Sequence, residues 1–335
     1  MLDRRDFLRA SAGAAVLVAL PGCGRDEERW QRSAFAKPAT SRTAVLTVEG
    51  YGRGVDEAVR RGVELFDLPV RGRRVVLKPN FVEFDPDGVI NTHPAVVAAA
   101  IETFRSLDAD VVVAEGPGHR RDNEYLLTAT GIGDVLRDTG TPFVDLNNDA
   151  VRRVPLRSSY TGMEALYLPE TVMSADLFVS LPKMKTHHWA GVTLSMKNLF
   201  GIVPGSIYGW PKNLLHWAGI RESILDINAA LPMRRFNIVD GIVGMEGNGP
   251  IQGEAVPSGV LVFGEDPVAV DATAARLMDV DPRKVSYLEE AGRFLGNLET
   301  ERIVAIGEDP DRHRRDYRVV SRFTGIKANS RATAG

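Results

Sequence analysis

The chain has one cysteine in 335 residues, Cys23, close to its start. A body without further cysteine forms no internal disulfide and holds neither a zinc finger nor an iron–sulfur cluster on its own thiolates. Any metal must therefore sit on His, Asp, Glu or a cofactor. An excess of positive charge is missing too: 41 Lys and Arg stand against 44 Asp and Glu, a net charge of −3. Without a basic arm or stripe to neutralise phosphates, the chain is not a general nucleic-acid binder. After the first twenty residues no second long apolar run occurs, so no membrane span is expected in the body. P-loop, HExxH, GxSxG and GxGxxG motifs are all absent.

What is present begins with an export signal at residues 1–22. Arg4 and Arg5, followed by Phe7 and Leu8, precede an apolar run from Ala10 to Leu20 that is too short to span a bilayer as a mature helix. The R-R-x-F-L pattern resembles a twin-arginine signal, which implies the twin-arginine export machinery as a partner. Leu20-Pro21-Gly22-Cys23 resembles a lipobox, which implies a lipid on Cys23 that holds the protein to a membrane at the cell envelope. Cleavage before Cys23 would remove three arginines and two aspartates and move the net charge to −4. Residues 23–41, charged and small, read as a tether, and the Arg-rich residues 309–335 as a surface tail that frays.

Between these ends the hydrophobic pattern alternates. Thr43 to Val48, Arg74 to Leu77 and Asp110 to Ala114 are β-branched runs, and helical spacing fills Gly54 to Phe66 and the stretch opened by His93-Pro94. Further strands are expected at Pro142 to Leu146, Ala175 to Leu181, Asn237 to Val239 and Gly259 to Phe263. Helices are expected near Leu214 to Leu231, Pro267 to Met278 and Val285 to Leu295. The alternation predicts an α/β fold with a mainly parallel sheet flanked by helices, in two lobes (42–150 and 151–308) with a cleft between them. Ligands in such sheets collect beyond the carboxyl ends of the strands, so residues just after each strand are the candidates.

Lys78-Pro79-Asn80 after the second strand reads either as a turn with a surface lysine or as an anion contact made by Lys78 and Asn80. The stretch from Leu181 to Gly205 is denser. It puts Lys183, Lys185, His187 and His188 in a strand-end loop, then Ser195, Lys197 and Asn198 within a few residues. Uncompensated burial would depress the pKa values of these bases and cost several kcal/mol. An anion, a metal or a covalent partner removes the conflict; a well-satisfied structural role is the alternative. His216 can face the same cleft or be an ordinary helix histidine, and Asp240 sits on a glycine-rich turn that can carry an acid to the site. Asp266 and Asp271 flank a helix start and can cap it. Trp210 and Trp217 read as core.

The phrases KPNF, EGPG, SLPKMKTHHWAGVTLSMKNLFG, YGWPKN, VDGIVGMEGNGP and DPVAVDA, from about Val48 to Ile306, resemble the bacterial and archaeal family called domain of unknown function 362. A fainter similarity is to the nickel-pincer lactate racemases. Gly118-His119-Arg120 looks like one of their loops, and His187 or His188, Ala190-Gly191, Lys197 and Pro204-Gly205 look like a second. That resemblance implies His119 and His187 as catalytic acid and base, with His188 able to fill the same slot, Lys197 as cofactor anchor and His216 as a metal ligand; Asn198, next to Lys197, and the acid Asp240 are expected beside them as a cofactor contact and a second metal ligand. It implies either a metal or a lysine-linked organic cofactor. Lys78, Asn80, Lys183, Lys185 and Ser195 are the expected contacts to a small anionic, hydroxy-acid-like substrate. Enzyme, non-catalytic anion-, glycan- or protein-binding lipoprotein, and scaffold remain the three function classes.

Overall fold

The computed structural model describes residues 29–119 and 122–329. The export signal and Cys23 lie outside the described residues. Among the described residues twelve strands form, in chain order, β1 (Ser41–Thr47), β2 (Arg74–Pro79), β3 (Asp110–Glu115), β4 (Phe143–Asp145), β5 (Val151–Pro155), β6 (Ala165–Pro169), β7 (Leu177–Leu181), β8 (Lys183–His187), β9 (Gly191–Thr193), β10 (Arg234–Asn248), β11 (Gln252–Gly264) and β12 (Ile303–Gly307). Ten of them make one sheet in the order β12-β1-β11-β10-β7-β2-β3-β4, with β8 attached to β10 and β9 to β8. The run from β10 through β7, β2 and β3 to β4 is parallel, while β11 runs against both its neighbours. The fold is α/β, as the alternation predicts.

Side-chain alternation along the strands fills both faces of this sheet. On β2, Val75 and Leu77 join Ala100 and Phe104 of the helix Pro94–Ser106 in one apolar layer. Val76 joins the opposite layer, with Leu225 of the helix Ile220–Ala230 and Val268 of the helix Pro267–Leu277. His93 caps the helix Pro94–Ser106, its Nδ1 accepting from Ala95 N, and Asp266 caps the helix Pro267–Leu277 through Val268 N and Ala269 N.

Several expectations are corrected. The sheet runs across residue 150, because β7, β10 and β11 from the second half interleave with β1 and β2 from the first. The short strands expected at Asn237 and Gly259 are the inner parts of one long hairpin, β10–β11. The loop expected at Lys183 to His188 is strand β8, which pairs with β9 and β10. The helix expected from Leu214 to Leu231 is two helices, Asn213–Ala218 and Ile220–Ala230. Gly219 breaks it at φ +106°, in the region that favours glycine. Trp217 is 77% exposed and not core.

Both chain ends are tied down where they are described. Trp30 stacks on Phe294 with ring centroids 5.0 Å apart, and Phe35 meets the same ring edge-on, so the segment from Trp30 onward is packed against the body instead of hanging as a free tether. Tyr317 is fully buried with its hydroxyl 2.7 Å from Ser258 Oγ, and Ile326 is buried beside it in the same core layer. From Tyr317 to Ile326 the expected tail is thus a structural strap. Tyr317→Ala should cost about 3–5 kcal/mol, the range for emptying a buried aromatic position, and a urea titration of the full chain checks it.

Candidate functional site: a lysine- and histidine-lined cavity

Parallel strands β2 and β3 end side by side, and each ends on a charge. Lys78 Nζ donates to Glu115 Oε2 at 2.6 Å, to Pro79 O at 3.0 Å and to Asn198 Oδ1 at 3.3 Å. Glu115 also accepts from Phe81 N and Gly116 N, so both ends of this buried pair are saturated. Burial pulls the Lys78 ammonium down from its usual range, and Glu115 offsets part of that. Gly201 crosses directly over the pair, where a methyl group would overlap Glu115 Oε1 and Lys78 Nζ. Only glycine lets the backbone pass there.

Above the pair opens a cavity of about 810 Å³. Lys78, Asn80, His119, His187, His188, Lys197, Asn198 and His216 all stand on its wall, drawn from six separate chain segments together with Thr193, Lys212, the β10–β11 hairpin tip and Val320 to Arg322. A volume of this size suits a small-molecule ligand or cofactor.

The three inner histidines differ in which nitrogen faces outward. His187 Nδ1 accepts from Trp189 N at 2.9 Å and Ala190 N at 3.1 Å, so its proton resides on Nε2. Burial first, then Lys197 and the neighbouring histidines, hold its pKa well below the usual imidazole range. It is therefore a neutral hydrogen-bond donor. His188 is the converse: its Nδ1 is 2.7 Å from Gly249 O, a carbonyl that can only accept, which leaves Nε2 as a free lone pair. His216 has the same arrangement through Lys212 O at 3.1 Å, and burial lowers its pKa. His119 sits at the exposed rim, 3.1 Å from Glu83 Oε2.

Lys197 projects from the short helix Ser195–Asn198. Asp271, buried in the helix Pro267–Leu277, fixes that short helix by accepting from Ser195 N at 2.7 Å and Met196 N at 2.9 Å; burial raises this carboxyl to about 7. Asp271 thus caps a different helix from the one the sequence suggests. Among the described residues the Lys197 ammonium has no hydrogen bond or carboxylate partner. Its one neighbour of note is the Phe200 ring, 4.8 Å away. Burial, then repulsion from Lys78, lowers it to about 8.

Lys212 is the residue sequence reasoning missed. It occupies the left-handed region at φ 67°, a strained position for a side-chain-bearing residue. Its Nζ donates to Gly116 O at 2.5 Å and Phe200 O at 2.9 Å, leaving one of its three donors for the cavity, and burial lowers it to about 7. No periodicity marks it; the signal available was a lone lysine between Pro211 and an apolar helix. Asn80 Oδ1 and Thr193 Oγ1, both buried in residues of the cavity wall, find no partner among the described residues.

Four expected contacts lie elsewhere. Lys183 pairs with Asp240 at 3.0 Å, and Asp240 also accepts from Tyr51 OH at 2.7 Å and His93 N at 3.0 Å. Lys183 donates to Tyr51 OH as well. This closed network pins the segment before the helix Pro94–Ser106 to the sheet, so neither Lys183 nor Asp240 is free for substrate or metal. Lys185 is buried against Ile90 O at 2.7 Å and Pro250 O at 3.5 Å. Desolvation and the neighbouring Lys197 and Lys183 press it well below its usual range. Ser195 is buried off the cavity and serves through its backbone. Among the described residues no three His, Cys, Asp or Glu side chains group to hold a metal ion.

Residues 75–276, from β2 to the end of the helix Pro267–Leu277, match the family described as Domain of unknown function (DUF362). The chain belongs to the DUF362 family. Within this DUF362 chain, residues 1–21 match the twin-arginine translocation pathway signal, so the protein is addressed for export across the membrane. The Thylakoid-associated protein sll1697 from Synechocystis sp. is 27% identical over 235 residues, 67% of this chain and 68% of that protein. The lactate racemase apoprotein from Thermoanaerobacterium thermosaccharolyticum superimposes on this DUF362 chain with a TM-score of 0.43 at 14% identity. That alignment covers 76% of this chain and 59% of the racemase, less than two thirds of the racemase's length.

The lysines of the site fall into two kinds with opposite expected energetics. Glu115→Ala strands Lys78 as a buried unpaired charge and should cost about 3–5 kcal/mol. Lys197→Met removes a cation that has no partner and should leave stability within about 1 kcal/mol of the parent or above it. Denaturant midpoints of the two variants, measured side by side, check the contrast.

Proposed function

We propose that the protein is an exported enzyme that admits a small anionic, hydroxy-acid-like molecule to the cavity and moves a proton on it. The observation that carries this reading is the Lys197 ammonium, held in the wall of an 810 Å³ cavity with the Phe200 ring beside it and no hydrogen-bond or carboxylate partner among the described residues. A partly buried, desolvated cation normally acquires a counter-charge, and a carboxylate ligand supplies one. Lys212 contributes its remaining donor, and Asn80 Oδ1 and Thr193 Oγ1 stand ready for a ligand's hydroxyl. His188 Nε2 accepts the proton, while the Nε2–H of neutral His187 stabilises charge that develops on oxygen. Of the expected catalytic histidines His119, His187 and His188, this reading gives the proton transfer to His188 and the oxyanion contact to His187.

A metal held by protein side chains alone does not fit this cavity, since no three ligands converge among the described residues. A lysine-linked organic cofactor does fit, with the free Lys197 amine to hold it; when bound it would supply a hydride or electron acceptor. Cys23 remains the proposed site of a lipid anchor at the envelope. The Synechocystis relative, whose name places it at thylakoids, is in keeping with a membrane-side location.

Calorimetric titration with D- and L-lactate tests the reading. Lys197→Ala should weaken binding about 10- to 100-fold, the value of a charge-assisted hydrogen bond. Affinity should be greatest below both values and fall as pH rises through about 7 and then about 8, because Lys212 and then Lys197 lose their protons. Exchange of the ligand's proton in deuterated water, abolished in His188→Gln, marks an enzyme. Binding without exchange marks the non-catalytic binding protein instead.

A further inference from the structure

Of the four lysines on or just behind the cavity wall, Lys185 being the one behind it, three are tied to fixed acceptors. Lys78 is held by Glu115 and Asn198, Lys185 by Ile90 O and Pro250 O, and Lys212 by Gly116 O and Phe200 O. Lys197 alone among the four has no such acceptor among the described residues, and it lies beside the apolar face of Phe200. An amine that is desolvated and flanked by other cations loses its proton easily, and the neutral form carries the nucleophilic lone pair. Here burial and Lys78 bring Lys197 down to about 8, within reach of neutral pH.

We propose that Lys197 is a carbonyl-capturing nucleophile, condensing with the aldehyde or ketone group of a small anion, with 2-oxo acids as the class that fits. The inference rests on the anion site described above, since a 2-oxo acid is the oxidised counterpart of a hydroxy acid. The Lys197 nitrogen forms a bond to the carbonyl carbon while the π pair moves to oxygen. The resulting carbinolamine oxygen leaves as water, taking one proton from the nitrogen and one from a donor, and a C=N bond remains. His187 Nε2–H is placed to hydrogen-bond the developing oxyanion, His188 Nε2 to pass protons, and Lys212 to hold the carboxylate. Because Lys78, Lys185 and Lys212 are engaged, capture is selective for one amine in the site.

The test is reductive trapping. The full exported chain is incubated with pyruvate and cyanoborohydride at pH 6, 7, 8 and 9, and its intact mass and peptide map are read. The expected result is one adduct per chain, located on Lys197, with a yield that passes through a maximum between pH 6 and 9, because the Lys197 amine must lose its proton while Lys212 keeps its own to hold the carboxylate. Lys197→Arg keeps the charge and should lose the adduct; the peptide map of the unaltered chain gives the same decision should that variant not fold. No adduct on Lys197, or adducts spread over surface lysines in proportion to their exposure, overturns the inference. Lactate binding without an adduct overturns the imine and leaves the anion site standing. An adduct on Lys197 with no lactate binding supports the imine and overturns the hydroxy-acid reading.

Discussion

The organisation of this protein depends on one electrostatic imbalance: four lysine amines are drawn to the carboxyl ends of the sheet, where, among the described residues, Glu115 is the one carboxylate bonded to any of them. Desolvation makes each of these cations costly, and one ion pair cannot compensate four charges. The fold meets the excess in graded ways. Lys78 takes the carboxylate, Lys185 and Lys212 take backbone carbonyls and lose some of their basicity, and Lys197 is left to meet whatever enters the cavity. The strain at Lys212, held at positive φ, belongs to the same arrangement, since that backbone turn swings its amine under the loop of Gly116.

The surrounding structure keeps this cluster rigid. Gly201 closes over the Lys78–Glu115 pair, Asp271 clamps the first backbone amides of the helix that bears Lys197, and Gly249 O fixes the ring of His188. Each of these groups comes from a different part of the chain. Pre-set side chains of this kind lower the cost of ordering a site around a small ligand.

Much of this was legible in the sequence because hydrophobic periodicity is a local signal. Val75 to Leu77 and Val111 to Val113 declare buried strands, and Pro94 declares a helix start. The density of Lys and His between Leu181 and Asn198 likewise pointed to the right region. What stayed hidden needed partners that only tertiary structure supplies. Lys183 and Lys185 alternate with Met184 along β8, so their spacing is that of a strand, yet charges at every second position normally mean a solvent face; here both faces are buried. Lys183 looked like a ligand contact because Asp240, its partner, lies 57 residues away. His187 and His188 could not be told apart until the amides of Trp189 and Ala190 and the carbonyl of Gly249 fixed their tautomers.

The strap from Tyr317 to Ile326 has a temporal consequence. Val320 to Arg322 finish a wall whose floor was laid down by β2 and β3 more than two hundred residues earlier in synthesis. A nascent chain still attached to the ribosome at residue 310 has its lysine floor but lacks the strap that helps enclose it. Assembly of the complete pocket therefore waits until the strap itself has been synthesised.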